Sequence, residues 1–222
     1  MSSHAEICLD SLWPTLEALI DKAAKGKERT ILIGIGGQGG AGKSTVSTWM
    51  RKKLSRSEVL PLDDYRLPRS QRAHRGLLGS HPDGNDRKRL LRDLKAATEN
   101  RSFRRPVFCP AAGRADHSEP VPPQRYLICD GEIAAHQGIR EQFDLFLLVD
   151  CHWRTQLNAR LSRDISERAY NLEKAIEVFL KSNLRDYPLY SKGAAEFASM
   201  ILYRNSRGGF TVKKPLPHSR QP

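Results

Sequence analysis

The chain has 222 residues, and 39% of them are hydrophobic, which is enough to form one sizeable buried core in a single domain. Its 37 Lys and Arg residues outnumber its 25 Asp and Glu residues, and the formal charge of +12 favours a polyanion or a phosphorylated ligand as partner. Residues 66–92 hold half of this excess, with seven Arg and one Lys against two Asp. The longest apolar runs, such as residues 145–149, are far shorter than the roughly 20 residues of a membrane helix, which argues against a membrane protein.

The start of the chain and its cysteines indicate the cellular compartment. The segment MSSHAEICLD has no basic stretch followed by an apolar one, so no secretory signal is predicted. The four cysteines, Cys8, Cys109, Cys129 and Cys151, are scattered without the spacing of a metal site and are predicted to be reduced thiols. We therefore expect a cytoplasmic protein.

Periodicity predicts alternating helices and strands. Helical spacing of apolar residues predicts an amphipathic helix over residues 8–25, within a leading segment 1–29. Residues 30–37 are apolar and end in glycines, which is typical of a buried parallel strand that leads into a helix. Further strands are predicted at residues 58–62, 125–129, 144–150 and 198–203, and helices at residues 44–55, 86–98, 153–168 and 171–184. This alternation predicts an α/β fold with an open parallel sheet of about five strands.

Two long loops and a tail complete the predicted organisation. Residues 66–85 and 106–124 are rich in Pro and Arg and are predicted as long loops, which in such domains tend to be functional. The main domain is predicted to span residues 30–206. Residues 207–222 are predicted to form a loose C-terminal tail because they contain three prolines.

A phosphate-binding loop is the strongest motif in the chain. Residues 37–44 read Gly-Gln-Gly-Gly-Ala-Gly-Lys-Ser and match G-x-x-x-x-G-K-[ST] between a predicted strand and a predicted helix. Small residues let backbone amides converge on phosphate oxygens, and the helix adds its positive end. A tight glycine turn is the alternative, but the flanking elements favour a nucleotide site. The predicted nucleotide-binding residues are Gly37, Gly39, Gly40, Ala41, Gly42, Lys43, Ser44 and Thr45. Within this motif, Lys43 is expected to contact the outer phosphates and Ser44 to hold Mg²⁺.

The remaining motifs favour a kinase over other proteins with such a loop. No N-K-x-D segment for guanine recognition is present, which argues against a GTPase. A small-molecule kinase needs a base beside the acceptor hydroxyl. The predicted strand at 58–62 is followed by Asp63, Asp64 and Tyr65, where a doubly wound sheet places its ligand crevice. Asp63 is the candidate base, and a cap or turn aspartate is the alternative.

A turn-rich run precedes the helix predicted at 86–98. It reads His81-Pro82-Asp83-Gly84-Asn85-Asp86, and either of its aspartates is suited to cap that helix. Turn chemistry alone favours a capping role over ligand binding.

The order of these motifs resembles that in uridine kinases and their phosphoribulokinase relatives. The resemblance runs over residues 30–204 and rests on the phosphate loop, Asp63-Asp64-Tyr65, His81-Pro82-Asp83, Asp130-Gly131 and the helical run from Arg163 to Arg168. It implies a P-loop NTPase fold with a helical lid. It also implies Mg²⁺-dependent transfer of the γ-phosphoryl group of ATP to a hydroxyl of a small molecule, with uridine or cytidine as the first candidate.

The resemblance also assigns roles to individual residues. Asp63 corresponds to the base, and Asp83 to the carboxylate that binds the ribose hydroxyls, which leaves the capping role to Asp86. Asp130 replaces a glutamate of the family and is expected near Mg²⁺, although a turn with Gly131 is the alternative. The implied substrate-binding residues are Asp63, Tyr65, His81, Asp83 and Phe108.

The helix at 153–168 permits two interpretations. Its predicted buried stripe consists of apolar residues four apart, namely Trp153, Leu157, Leu161 and Ile165. Spacing alone favours i,i+4 ion pairs on its surface for the three arginines off this stripe, namely Arg160–Asp164, Arg163–Glu167 and Asp164–Arg168, each worth a few tenths of a kcal/mol. The resemblance implies instead a lid, at about residues 153–170, whose arginines close over the transferring phosphate. The implied lid arginines are Arg160, Arg163 and Arg168. The family's next Gly-Arg reads Ala169-Tyr170 here.

The positions that read the pyrimidine base in uridine kinases differ in this chain. Phe108 stands where the family has a tyrosine, Gly113 falls near an expected histidine, and Val178 and Asn85 replace a glutamine and a phenylalanine. Because such polar groups reject wrong substrates, another sugar-like or vitamin-like alcohol stays open as the acceptor.

Two other function classes are compatible with a phosphate loop. A non-catalytic nucleotide-binding module could bind RNA through the basic residues 66–105, but Phe103 is the only Phe, Tyr or Trp there, which argues against single-strand binding. An ATP-dependent mutase or ligase is a third class. The sequence alone gives no basis for an oligomeric state, whereas the resemblance is to a family that is often oligomeric.

Overall fold

The computed structural model describes residues 9–166 and 168–213. The helices are α1 (Leu9–Ala24), α2 (Lys43–Lys53), α3 (Arg69–His74), α4 (Arg87–Thr98), α5 (Trp153–Ser166), α6 (Leu172–Phe179), α7 (Tyr187–Tyr190) and α8 (Ala194–Phe197). The strands are β1 (Ile31–Gly36), β2 (Ser57–Pro61), β3 (Phe103–Cys109), β4 (Arg114–Val121), β5 (Tyr126–Asp130), β6 (Leu145–Cys151), β7 (Met200–Arg204) and β8 (Phe210–Lys213). A π-helical segment, Leu180–Asp186, joins α6 to α7.

A six-stranded sheet organises the fold in the order β2-β5-β1-β6-β7-β8. The first five strands are parallel, which confirms the predicted α/β fold, and β8 runs antiparallel to β7 at the edge. The prediction of a loose tail is therefore wrong for Phe210–Lys213, which form β8. Phe210 is 3% exposed and pairs with Arg204, so burial and strand pairing hold this segment in the sheet. Residues 214–222 of the predicted tail lie outside the described residues.

Helices cover both faces of the sheet. On one face, α1 and α2 pack against the isoleucines of β1 and the leucines of β6, and the leading helix buries Leu12, Leu16, Ile20 and Ala24. On the other face, Leu90 and Leu94 of α4 pack against β5, together with Tyr187 and Ala194. The predicted amphipathic helix thus contributes to the core on the face that α2 covers.

The second predicted loop is wrong, because residues 106–124 contribute to an antiparallel hairpin of β3 and β4. Its prolines suggested a loop. In a two-stranded ribbon both strands are edges, so Pro106 and Pro120 do not interrupt an interior hydrogen-bond ladder. The first predicted loop, 66–85, contains α3 and a short 3₁₀ turn at Pro82–Gly84.

Strand register brings the predicted motifs together. Asp130 at the end of β5 pairs with Ile35 of β1 on one side and with Pro61 of β2 on the other. The phosphate loop follows β1 directly, and Asp63 follows β2. All three therefore meet at the carboxyl edge of adjacent parallel strands, where open α/β sheets bind ligands.

Candidate active site

The phosphate loop has the backbone that its glycines were expected to provide. Gly37 has φ +148°, and a Cβ there would lie 2.2 Å from the carbonyl oxygen of Val149. Gly42 has φ +105° and immediately precedes α2. The loop thus turns directly from β1 into the positive end of α2, as a phosphate site requires.

Four predicted site residues, two at the end of this loop and two on neighbouring strand ends, lie close together. Ser47 donates a hydrogen bond to Oδ2 of Asp130 at 3.0 Å. Burial raises the pKa of Asp130, whereas Lys43 and the hydroxyls of Ser44 and Ser47 oppose this increase, and Asp63 raises the pKa further. The structure therefore brings the predicted base, the lysine and both predicted Mg²⁺ ligands into one electrostatic environment.

The donors at this edge fit Mg²⁺ bound together with a nucleotide. Within the described ranges no cluster of three or more His, Cys, Asp or Glu side chains suited to a metal ion is found. Mg²⁺ commonly uses one or two protein oxygens and takes its other ligands from phosphates and water. Ser44 and Asp130 supply such oxygens beside the phosphate loop.

Asp63 and Asp64 face different environments. The side chain of Asp63 is 53% exposed, and its Oδ1 lies 2.7 Å from Nη2 of Arg66. Asp64 is buried and accepts hydrogen bonds from the Phe108 amide at 3.0 Å and from Arg105. Burial raises the pKa of Asp64, against these two donors. Of the two, Asp63 is therefore the carboxylate accessible to an acceptor.

The prediction that Tyr65 binds the substrate is wrong. Its side chain is 1% exposed, and its hydroxyl donates to Oδ2 of Asp93 at 3.0 Å. Burial raises the pKa of the phenol, with Asp93 as the next cause. Tyr65 is a core residue that joins the end of β2 to α4.

In the run that begins with the His-Pro-Asp turn, capping and predicted ligand contact fall to different aspartates. Asp86 caps α4 by accepting a hydrogen bond from the Arg89 amide at 3.0 Å, as the resemblance implied. The carboxylate of Asp83 is exposed and lies 3.8 Å from Arg75. Asn85 holds the turn by donating to the carbonyl oxygens of Gly79 and His81. Asp83 therefore stays a predicted ligand contact.

Two other predicted substrate contacts have defined surroundings. His81 accepts from the Asp83 amide through Nδ1 at 3.1 Å, and its Nε2 lies 2.7 Å from the Tyr190 hydroxyl. Phe108 is half-buried on β3, with its amide bound to Asp64. Their contact with an acceptor remains a prediction.

The predicted apolar stripe of α5 is wrong. Trp153 and Ile165 are 46% and 44% exposed, whereas the buried residues of this helix are Gln156, Arg160 and Asp164. Apolar periodicity failed here because the helix packs its polar face on the phosphate loop and on polar groups behind it.

The three arginines predicted to lie on a lid occupy two environments. Arg160 is 4% exposed and lies 3.7 Å from both Glu132 and Asp164. Arg163 and Arg168 are more exposed and contact Asp164 at 3.3 and 3.1 Å. The i,i+4 pairs at Asp164 thus form, but around a fully buried carboxylate; the predicted pair with residue 167 lies outside the described residues.

Glu132 is a site residue that sequence reasoning missed. It is buried, accepts from the Ser182 hydroxyl at 3.4 Å, and would lie 2.6 Å from a Cβ at Gly39 of the phosphate loop. Burial alone would raise its pKa, but Arg160 and Lys43 outweigh burial and lower it. Its position two residues after Asp130 was the available signal.

An amide network joins the phosphate loop to α5 and the π-helical segment. The side chain of Asn183 donates to the Gly39 carbonyl oxygen at 2.9 Å and to Gln156 at 3.0 Å. Gln38 donates to the Asn183 carbonyl oxygen and accepts from Gln156. No motif marked this network, because π-helical geometry is not evident from periodicity.

A cavity of about 690 Å³ opens beside the phosphate loop. Ser44 and Thr45 line it, together with Trp49 of α2, Lys52 and Phe210 of β8. This volume lies within the usual range for small-molecule sites. The edge strand that the sequence did not predict therefore forms part of its wall.

His136 lies buried behind Glu132 and makes stability depend on pH. It is 2% exposed, and neither ring nitrogen has a hydrogen-bond partner among the described residues. Burial lowers its pKa to about 4, against the attraction of Glu132. Between pH 6.5 and 4 the unfolded chain binds a proton that the folded chain excludes, so we expect stability to fall by up to about 1.4 kcal/mol per pH unit on acidification. Urea denaturation at several pH values across this range measures the unfolding free energy. We expect this free energy to change less steeply with pH in His136→Gln than in the unmodified protein, and an unchanged pH dependence would contradict the assignment.

The fold and site define a P-loop kinase architecture, and comparisons with known proteins agree. D-glycerate 3-kinase from Cryptococcus neoformans superimposes with a TM-score of 0.67 over 92% of this chain and 99% of that chain, at 13% identity, which shows a shared fold. The family model "Phosphoribulokinase / Uridine kinase family" matches residues 32–207. The chain therefore belongs to the phosphoribulokinase and uridine kinase family.

Curated relatives carry both family names. A phosphoribulokinase from Synechocystis is 25% identical over 181 residues, covering 79% of this chain and 54% of the relative. A uridine kinase from Borrelia duttonii is 27% identical over 175 residues, covering 77% of this chain and 85% of the relative. The chain thus spans about half the length of the phosphoribulokinases that it matches. Among the described residues, no helix is long and apolar enough to cross a bilayer.

Proposed function

We propose that this chain is a kinase that transfers the γ-phosphoryl group of ATP to a hydroxyl group of a small molecule. The observation that supports it is the register at Asp130, which aligns the phosphate loop, a buried carboxylate and the exposed Asp63 on three adjacent strands. A phosphate loop alone would serve any nucleotide-binding protein. An exposed carboxylate beside it is what phosphoryl transfer to an alcohol additionally requires.

On this proposal, the nucleotide lies along the start of α2. The loop amides and Lys43 hold the β- and γ-phosphates, and Thr45 faces the cavity in which the nucleoside is bound. Trp49 and Phe210 give that cavity apolar surface suited to a purine. Ser44 and Asp130 would hold Mg²⁺, which would neutralise charge on the phosphates.

The acceptor side rests on Asp63. This carboxylate accepts the proton of the attacking hydroxyl, while Arg66 at 2.7 Å holds it in position. Asp83 on the neighbouring turn contacts further hydroxyls of the acceptor. Arg163 and Arg168 stabilise the charge on the phosphoryl group as it is transferred.

The relatives name two acceptors of different charge. One is named for uridine and the other for phosphoribulose, at similar identities to this chain. Uridine or cytidine remains a candidate, but the altered base-reading positions do not single it out. We also propose a cytoplasmic location, since Cys109, Cys129 and Cys151 are free thiols.

The direct test is ADP release in the presence of Mg·ATP and a panel of nucleosides, sugars, sugar phosphates, hydroxy acids and vitamin alcohols. Stimulation by one acceptor, with formation of its phosphate ester, supports the kinase. Nucleotide binding without stimulation by any acceptor, combined with salt-sensitive RNA binding, would favour the non-catalytic alternative.

A further inference from the structure

Arginines crowd the acceptor loop beside Asp63. Arg66 pairs with Asp63, and a Cβ at Gly79 would lie 2.4 Å from its Nε. Arg72 of α3 donates through Nε to the Leu67 carbonyl oxygen at 3.0 Å, which leaves its two terminal nitrogens to face other groups. Within the described part of the chain, no carboxylate forms an ion pair with Arg72.

Arg72 lies among other cations. Burial lowers its pKa to about 10, and Arg66 and Arg69 lower it further, while Tyr170 and Asp63 oppose them. A guanidinium half-buried among like charges is unfavourable unless an anion joins it.

Arg163 and Arg168 of the predicted lid bring two more guanidinium groups near the acceptor loop. Burial lowers the pKa of Arg168, and Arg163 and Arg66 contribute in the same direction. Asp164 is the carboxylate that contacts both lid arginines. Among the described residues, six guanidinium groups (Arg66, Arg69, Arg72, Arg160, Arg163 and Arg168) thus share one region with three carboxylates, Asp63, Glu132 and Asp164.

The γ-phosphate of ATP accounts for only part of this excess. On the proposed function it meets Lys43 and the lid arginines on the nucleotide side. Arg66 and Arg72 belong to the segment that follows the base, and this segment packs on the glycines of the acceptor turn; a Cβ at Gly84 would lie 3.4 Å from Cδ of Arg72. A neutral acceptor leaves Arg72 without a carboxylate partner among the described residues, and leaves Arg66 with Asp63 alone.

We infer that the acceptor carries an anionic group, a phosphate ester or a carboxylate, and that Arg72 and Arg66 bind it. The inference rests on the proposed function. A planar guanidinium matches both anions with paired hydrogen bonds, and two of them fix an acceptor so that its free hydroxyl faces Asp63. Charge on the acceptor then selects the substrate, in place of the base-reading groups that this chain lacks.

Binding of inorganic phosphate tests the anion site without knowledge of the acceptor. The protein is first saturated with a non-hydrolysable ATP analogue and Mg²⁺, which fills the phosphate loop, and its thermal unfolding is followed as phosphate or D-glycerate is added. We expect saturable stabilisation by at least one of the two anions. Arg72→Gln should weaken it about 10- to 100-fold, Arg72→Lys should weaken it less, and the exposed control Arg101→Gln should not change it. Absence of saturable stabilisation, or equal stabilisation of Arg72→Gln, would overturn the inference.

Matched acceptors separate this inference from the proposed function. ADP release is compared for D-ribulose and D-ribulose 5-phosphate, for glycerol and D-glycerate, and for uridine. Stimulation by an anionic member, with a KM raised about 10- to 100-fold by Arg72→Gln and little change in kcat, supports both proposals. Stronger stimulation by uridine or another neutral acceptor keeps the kinase and overturns the anionic acceptor. Anion binding that is lost in Arg72→Gln, without ADP release for any acceptor, keeps the anion site and counts against the kinase.

Discussion

The Asp63→Asn variant is expected to lose about 10²- to 10⁴-fold in kcat while it still binds Mg·ATP. An amide cannot accept the proton of the attacking hydroxyl at neutral pH, and Asp63 is the exposed carboxylate at the end of β2. Nucleotide affinity should be retained or slightly increased, because the substitution removes a negative charge that repels the nucleotide phosphates. Single-turnover transfer and calorimetric titration with a non-hydrolysable ATP analogue measure the two effects.

A conservative change elsewhere controls for the loss of one negative charge. Asp21→Asn on the exposed face of α1 removes the same charge far from the site and should leave both quantities unchanged. Phosphoryl transfer by Asp63→Asn at the wild-type rate would show that another group acts as the base.

The Glu132→Ala variant is expected to lose about 3–5 kcal/mol of unfolding free energy, the usual cost of removing one partner from a buried ion pair. Arg160 is 4% exposed, and without Glu132 its guanidinium keeps Asp164 at 3.7 Å as its remaining carboxylate. The phosphate loop packs on both side chains, so nucleotide affinity should fall as well. Urea denaturation at constant pH gives the stability change.

A double variant distinguishes loss of charge pairing from loss of packing. Glu132→Ala combined with Arg160→Met removes the unpaired charge and should recover part of the lost stability, since apolar replacement of a buried pair is often neutral or favourable. A double variant less stable than Glu132→Ala alone would show that Arg160 stabilises the fold through Ser182 and Asn183 and not through Glu132.

The sheet was predictable because its strands are buried on both faces. Strands such as β1 and β6 consist almost entirely of apolar residues, and glycines or aspartates mark their ends. Segments with one polar side were harder to predict. The hairpin of β3 and β4 was hidden by prolines that edge strands tolerate, and β8 by its place at the end of the chain.

The site was predictable where chemistry requires fixed spacing and obscure where packing decides. The phosphate loop and the aspartates after β2 and β5 followed from motifs. Whether Asp64 and Tyr65 point to the ligand or to the core depends on tertiary contacts with Arg105 and Asp93 that no local pattern encodes. The buried polar face of α5 likewise depends on partners such as Asn183, far away in sequence.

Because Asp63 and Asp64 are adjacent, the residue that anchors this backbone lies next to the candidate base. Asp64 anchors the hairpin through Arg105 and the Phe108 amide, so the backbone that presents Asp63 is held from the hairpin side. The Arg69 amide in turn donates a hydrogen bond to the Gly113 carbonyl oxygen of the hairpin at 2.6 Å. A shift of this hairpin by a fraction of an ångström would therefore displace the base relative to the phosphate loop. Substitutions in β3 and β4 are thus a means of changing the acceptor without altering the nucleotide site.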